Sequence, residues 1–363
     1  MKNPTLSTAL TTALLLSTLN SHLSTVFAQG SLTPPGAPAA TMKTLEQIEP
    51  RTPVSSAPFT ISVSGSYYLT TNLTVSSGNA ITIATNGVTL DLNGFTISST
   101  AASAAGTAIS LASALSDITI VNGHIRSGVT NNGSGVFSGS GFGYGINYSG
   151  TQPANVVVSK VSVAGVLNSG IYLSEGKASV VEACTVTTAG NYGIVASTVK
   201  GSVAIDCGNY AIEGDQVADC RGIVYNGGYG ISATTALNCY GGSGSGTGLN
   251  ANVAQNCYGN SSDGTGLSAT TAQNCNGWSW SGNGFSVNDV AIGCSGWSYS
   301  STGLIAYIAL NCRGYAGGWN PGLSATMANS CYGSSISSTG LIATYGNFCF
   351  GSSVSVTTKY NMP

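Results

Sequence analysis

In Leu267-Ser268-Ala269-Thr270 apolar and polar residues alternate, which places Leu267 and Ala269 on one face of a strand and Ser268 and Thr270 on the other. Ala272 and Cys275 extend the apolar set, and Gly277 stands where the chain turns again. This unit recurs. Cys220, Cys239, Cys257, Cys275, Cys294, Cys312, Cys331 and Cys349 follow one another with a period of about 18 to 19 residues. A glycine followed by an apolar residue keeps step with them, at Gly230-Ile231, Gly248-Leu249, Gly266-Leu267, Gly284-Phe285, Gly303-Leu304, Gly322-Leu323 and Gly340-Leu341. Two columns in one phase mark a structural repeat. A single unit cannot bury its apolar side, whereas units stacked about 4.8 Å apart can, so the pattern predicts coils of short strands with the cysteines in an interior column.

Upstream the repeat is longer and less regular, but the Gly-Ile step persists at Gly145-Ile146, Gly170-Ile171 and Gly193-Ile194. Still earlier, residues 80–83, 88–97 and 118–125 are alternating strands with Asn-Gly turns. The stretches Asp91-Leu92-Asn93-Gly94-Phe95-Thr96-Ile97 and Val121-Asn122-Gly123-His124-Ile125-Arg126 resemble the opening coils of secreted bacterial right-handed parallel β-helix proteins of the pectin lyase-like superfamily. The resemblance covers roughly residues 54–355 and implies an all-β right-handed parallel β-helix. The left-handed alternative carries an aliphatic residue at every sixth position, and Gln255 and Ser261 break that spacing after Leu249. Ladder positions predict about 13 coils and a rod of about 60 Å.

Lys2, the apolar run Ala9 to Leu19 and the small-residue site Val26-Phe27-Ala28 read as a signal peptide over residues 1–28. Residues 29–53 form a proline-rich linker followed by a helical pattern, Met42 to Glu49, expected to cap the first coil. Residues 356–363 are expected to be a tail. No later stretch is apolar for the roughly 20 residues a spanning helix needs, so the expected location is secreted, periplasmic or cell-surface, without membrane insertion. Fifty glycines with only 6% charged residues suit turns and solvated strand faces rather than helices. A net charge of −2 without a basic cluster argues against nucleic acid as a partner.

Ten cysteines in a secreted chain ordinarily suggest disulfides. Parallel Cβ vectors in one column oppose the torsion of roughly 90° that a disulfide prefers, so the favoured reading is a stack of small buried hydrophobes, with adjacent-coil bridges as the alternative. A serine at Cys275 is then expected to cost roughly 1–3 kcal/mol for want of a hydroxyl partner. No Cys-x-x-Cys occurs and His124 stands alone after the leader, so no metal or other cofactor is expected.

Three surfaces carry candidate chemistry. The first is a charged cluster, Asp206, Glu213, Asp215, Asp219 and Arg221, in an otherwise neutral rod. Glu213 and Asp215 share an outward face about 6.7 Å apart, a separation that suits inverting glycoside hydrolysis. With Arg221 they are alternatively placed for a Ca²⁺-dependent lyase acting on an acidic sugar. The adjacent-aspartate and Gly-His-Gly motifs of polygalacturonase-like relatives are missing, so no family catalytic residue transfers. The second surface is aromatic: Trp278, Trp280, Trp297, Tyr299 and Tyr315 occupy equivalent places on adjacent coils, with Trp319 nearby. Such rings either brace their own turns or offer apolar faces to sugars. The third is a grid of Ser232/Thr234, Asn250/Asn252, Ser268/Thr270, Ser286/Asn288 and Ser324/Thr326, whose regular spacing suits an ordered surface such as ice. The reading that results is a non-catalytic β-helix binding extracellular polysaccharide or cell-surface glycan. A lyase or hydrolase and an ice-like surface binder are the alternatives.

Overall fold

The computed structural model describes residues 50–362. The leader, most of the linker and the helix expected over Met42 to Glu49 therefore lie outside the described residues. Within them the chain is all β, with no helix, and no helix is long and apolar enough to cross a membrane.

Parallel strands stack into three ladders. The first begins with Phe59–Ile61, the second with Thr52–Val54 and Gly65–Leu69, the third with Leu73–Val75 and Thr96–Ser99. In later coils the first two are halves of one bent strand, such as Thr247–Gln255, and the third is a separate strand, such as Tyr258–Ser261. The result is a parallel β-solenoid of about 16 turns, more than the expected 13. At the usual rung spacing it runs roughly 70 Å. Two features hid coils from the sequence pattern. Ser202 occupies a rung of the cysteine column between Cys184 and Cys220, bonded to both: Cys184 N donates to Ser202 Oγ at 3.2 Å and Ser202 N to Cys220 Sγ at 3.4 Å. The last rung, Val354–Tyr360, extends beyond residue 355.

Coil length varies upstream and then locks. Leu90 pairs with Ile120 and Ile120 with Val158, long steps of unequal size, whereas Val181, Val199, Val217 and Ala236 follow one another in short and nearly equal ones. The longest step contains an antiparallel hairpin, Gly128–Asn131 with Phe137–Ser140, which leaves its coil and lies over later ones. Asn131 Nδ2 donates to Asp206 Oδ1 at 2.6 Å, and Asn226 Nδ2 to the Ser134 carbonyl at 2.9 Å.

In a regular coil Leu249, Ala251, Ala254, Cys257 and Ser261 point inward and are buried. Opposite walls of this narrow tube touch through glycine. A Cβ on Gly259 would stand 2.2 Å from the Gly266 carbonyl oxygen, and one on Gly248 would stand 2.4 Å from the Asn260 nitrogen. Two inner corners are fastened by side-chain donors. Ser261 Oγ donates to the Gly246 carbonyl at 2.6 Å and accepts from Gly264 N at 2.9 Å, and Ser279 repeats this one coil on.

All ten cysteines are free and buried. Burial pushes the thiols of Cys184 and Cys220 up to about 11, which leaves them unreactive near neutral pH. They are nevertheless not simple hydrophobes. Cys275 Sγ lies 3.2 Å from the Gln273 carbonyl, and Cys257 Sγ 3.2 Å from that of Gln255. The expected lack of a partner for serine at this position is thus corrected: Ser202, fully buried, donates to the Lys200 carbonyl at 2.9 Å.

Candidate functional site

The five charged residues grouped by the sequence divide among three places. Glu213 and Asp215 face outward on one strand, with Gly214 buried between them. The loop around Glu175 folds onto them from two coils upstream, where Gly176 N donates to Asp215 Oδ2 at 3.1 Å and Gln152 Nε2 donates to the Glu175 carbonyl. Burial, and then the Glu175 carboxylate, hold the Glu213 carboxyl above its ordinary value. Burial, and then Asp215, do the same for Glu175. A run of tyrosines borders the trio, with successive centroids 5.5 Å (Tyr172–Tyr192), 5.3 Å (Tyr192–Tyr210) and 5.1 Å (Tyr210–Tyr229) apart. Sequence reasoning missed Glu175 because it sits in an irregular loop outside the repeat.

The other three charges are engaged elsewhere. Asp206 anchors the hairpin and accepts from Thr188 Oγ1 at 2.8 Å. Asp219 occupies the corner between the second and third strands, where the backbone takes left-handed φ values: 55° there, 54° at Asn238, 53° at Asn256 and Asn274. Asparagine and aspartate tolerate that conformation. Their side chains link coil to coil, Asn238 Nδ2 to Asp219 Oδ1 at 3.0 Å and Asn256 Nδ2 to Asn238 Oδ1 at 3.2 Å. Arg221 lies over the Tyr240 ring at 5.3 Å. Asp219, Arg221, Asn238, Tyr240, Asn256 and Tyr258 line a shallow groove of about 580 Å³ that continues to Asn274 and Asn276. The asparagine column was not picked out from the sequence, although its residues immediately precede Cys239, Cys257, Cys275 and Cys312.

Downstream on the same face stand the expected aromatics. Trp278 and Trp297 are stacked at 5.3 Å and 4°, Trp297 and Tyr315 at 5.8 Å and 4°, Trp280 and Tyr299 at 4.4 Å and 7°. Parallel planes at such centroid separations are offset stacks. The inner ring faces therefore partly cover one another, and the end faces of each stack have no ring stacked on them among the described residues. Trp280 and Tyr299 are half exposed, at 50% and 48%. Trp319 is 83% exposed, and no ring contact among the described residues joins it to the stack. The polar grid on the first-ladder face is interrupted: register shifts fall between Ala269 and Thr271 and between Val287 and Val290, and Tyr307 and Ile342 stand exposed within it.

No family model, curated protein or solved structure matches the chain. The likeness to pectin lyase-like proteins rests on the coil pattern, and what stands is the parallel β-solenoid with its buried cysteine ladder.

Proposed function

We propose that the chain is a non-catalytic, extracellular glycan-binding solenoid, its ligand a polysaccharide or cell-surface glycan lying along the third-strand face. One observation carries this reading: a groove lined by asparagine amides and tyrosines leads to a tryptophan stack whose terminal faces meet no further stacked ring among the described residues. Amides supply paired donors and acceptors for sugar hydroxyls, and an uncovered ring supplies an apolar face for the C–H side of a pyranose. The test is a glycan array combined with assays for new reducing ends and for unsaturated products on the same polysaccharides. Binding without turnover is expected. Product release by the unmodified protein overturns the non-catalytic reading.

A second reading, glycoside hydrolysis, is favoured by the Glu175, Glu213 and Asp215 trio. A carboxyl held above its ordinary value suits a general acid that protonates a leaving glycosidic oxygen, with a second carboxylate beside it. Reducing ends that vanish in both Glu213→Gln and Asp215→Asn would establish it. The lyase version draws less support, because Arg221 is engaged with Tyr240 at a different corner.

A further inference from the structure

The residue that follows the third strand forms its own column along the solenoid. Backbone bonds fix its members: Tyr225 N donates to the Cys207 carbonyl at 3.1 Å, Ser262 N to that of Ser243 at 3.2 Å, Trp280 N to that of Ser261 at 3.2 Å and Tyr299 N to that of Ser279 at 3.1 Å. Gly244 holds the place between Tyr225 and Ser262. Read along the axis, the column runs Tyr225, Gly244, Ser262, Trp280, Tyr299. Two small residues thus separate one aromatic from the next, leaving a notch three rungs long, roughly 14 Å between the bounding coils.

The notch is built into the backbone. A Cβ on Gly244 would stand 2.1 Å from the Tyr225 carbonyl oxygen, so its floor cannot carry a side chain. Its downstream wall is Trp280, whose far face is already taken by Tyr299 at 4.4 Å. Trp278 of the same coil meets Trp280 at a tilt, 6.5 Å and 51°, and no ring is stacked on the Trp280 face toward Ser262 among the described residues. Its upstream wall is Tyr225, 47% exposed, at the place where the hairpin tip is fastened by the Asn226 bond to Ser134. Exposed Ser262 and Asp263 border the floor, and Asp263 Oδ1 accepts from Ser281 Oγ at 3.3 Å.

We infer that this notch between Tyr225 and Trp280 is the primary sugar subsite, and that it takes a neutral pyranose polysaccharide. The inference rests on the glycan-binding reading and narrows it. A pyranose seated on the open Trp280 face extends the ring stack by one member, with Ser262 and the Asp263 carboxylate placed for its hydroxyls. That carboxylate repels uronate and sulfate groups, and Arg221, on the upstream side of this face, lies over the Tyr240 ring.

The test uses the full chain and calorimetric titration with gluco-, manno- and xylo-hexasaccharides and with an oligogalacturonate. Ser262→Tyr fills the notch with a ring one rung from Trp280. It is expected to weaken binding of the neutral hexasaccharide by about tenfold or more, with the melting temperature unchanged or raised. Asp263→Asn is expected to narrow the preference for neutral over acidic probes. Val63→Ala, exposed on an opening coil away from the third-strand face, is expected to stay within about twofold of the unmodified protein. Full affinity in Ser262→Tyr, or preferential binding of oligogalacturonate by the unmodified protein, overturns the notch while leaving a glycan platform standing. If Ser262→Tyr unfolds, Tyr225→Ala and Trp280→Ala decide the matter, since normal binding in both overturns the subsite. An unmodified protein that binds none of the probes overturns the glycan reading itself, and the notch with it.

Discussion

Upstream coils vary widely in length, from the short turn that pairs Thr52 with Tyr67 to the long one that pairs Ile120 with Val158, and are filled by branched aliphatics such as Ile81, Ile83, Leu90, Leu92 and Ile97. From Ile231 to Leu341 the coils are short and nearly equal, and most are filled by one large residue with alanine, cysteine, glycine and serine, as at Leu249, Ala251, Ala254, Cys257, Gly259 and Ser261. A longer coil encloses more area, and side-chain volume must fill it. A short coil brings its walls close enough for backbone to touch backbone, and glycine is required where they meet. The upstream coils thus rest mainly on hydrophobic burial, the downstream ones on close wall contact and bonded corners. The outer surfaces differ accordingly. Irregular upstream coils extrude a hairpin and an acidic loop, whereas regular downstream coils repeat outward positions and so can stack rings.

Breaking this contrast starts with the glycine wall. Gly277→Ala places a Cβ 2.1 Å from the Gly284 carbonyl oxygen and 3.0 Å from Phe285 Cβ, and backbone cannot step aside as a side chain can. A loss of more than about 3 kcal/mol is expected in chemical denaturation; a loss under about 1 kcal/mol would mean that the walls are not in contact. Upstream, Leu90→Ala leaves a cavity among aliphatics and is expected to cost about 3 kcal/mol. A marginal effect there would mean that the upstream interior is loosely filled. Cys275→Ser should be tolerated within about 1 kcal/mol, because Gln273 offers the carbonyl that Lys200 offers Ser202. In the same samples, native protein should resist a thiol reagent that labels the unfolded chain.

The smallest effect lies at the acidic trio. Glu213 and Glu175 are held above their ordinary value by burial first and by neighbouring carboxylates second. The folded chain therefore keeps protons that the unfolded chain has released. The resulting stabilisation is full below the ordinary carboxylate value and is lost as pH rises through the raised one. Melting temperature should fall across that window, and Glu213→Gln should flatten the slope. An unchanged slope would remove the trio from the account of pH dependence.

Legibility in the sequence followed the repeat. Cys220 through Cys349 and their Gly-apolar partners announced parallel coils because each coil obeys the same spatial constraint, so the chemistry recurs at a fixed interval. The register of Trp278 with Trp297 and of Trp280 with Tyr299 was readable for the same reason. Ser202 hid a rung by replacing sulfur with oxygen in a column where either donor serves. Glu175 was invisible because the loop that carries it has no period, and Asp206, Asp219 and Arg221 looked like one site because they are close in sequence.

What the sequence by itself determined is the solenoid, its interior columns and which residues face out, since alternation and period are properties of order along the chain. Only the tertiary structure decided which ring faces stay open, which carboxylates meet and where the hairpin tip comes to rest. Those outcomes depend on how coils of unequal length stack and how far each loop reaches, distances that no interval along the chain encodes.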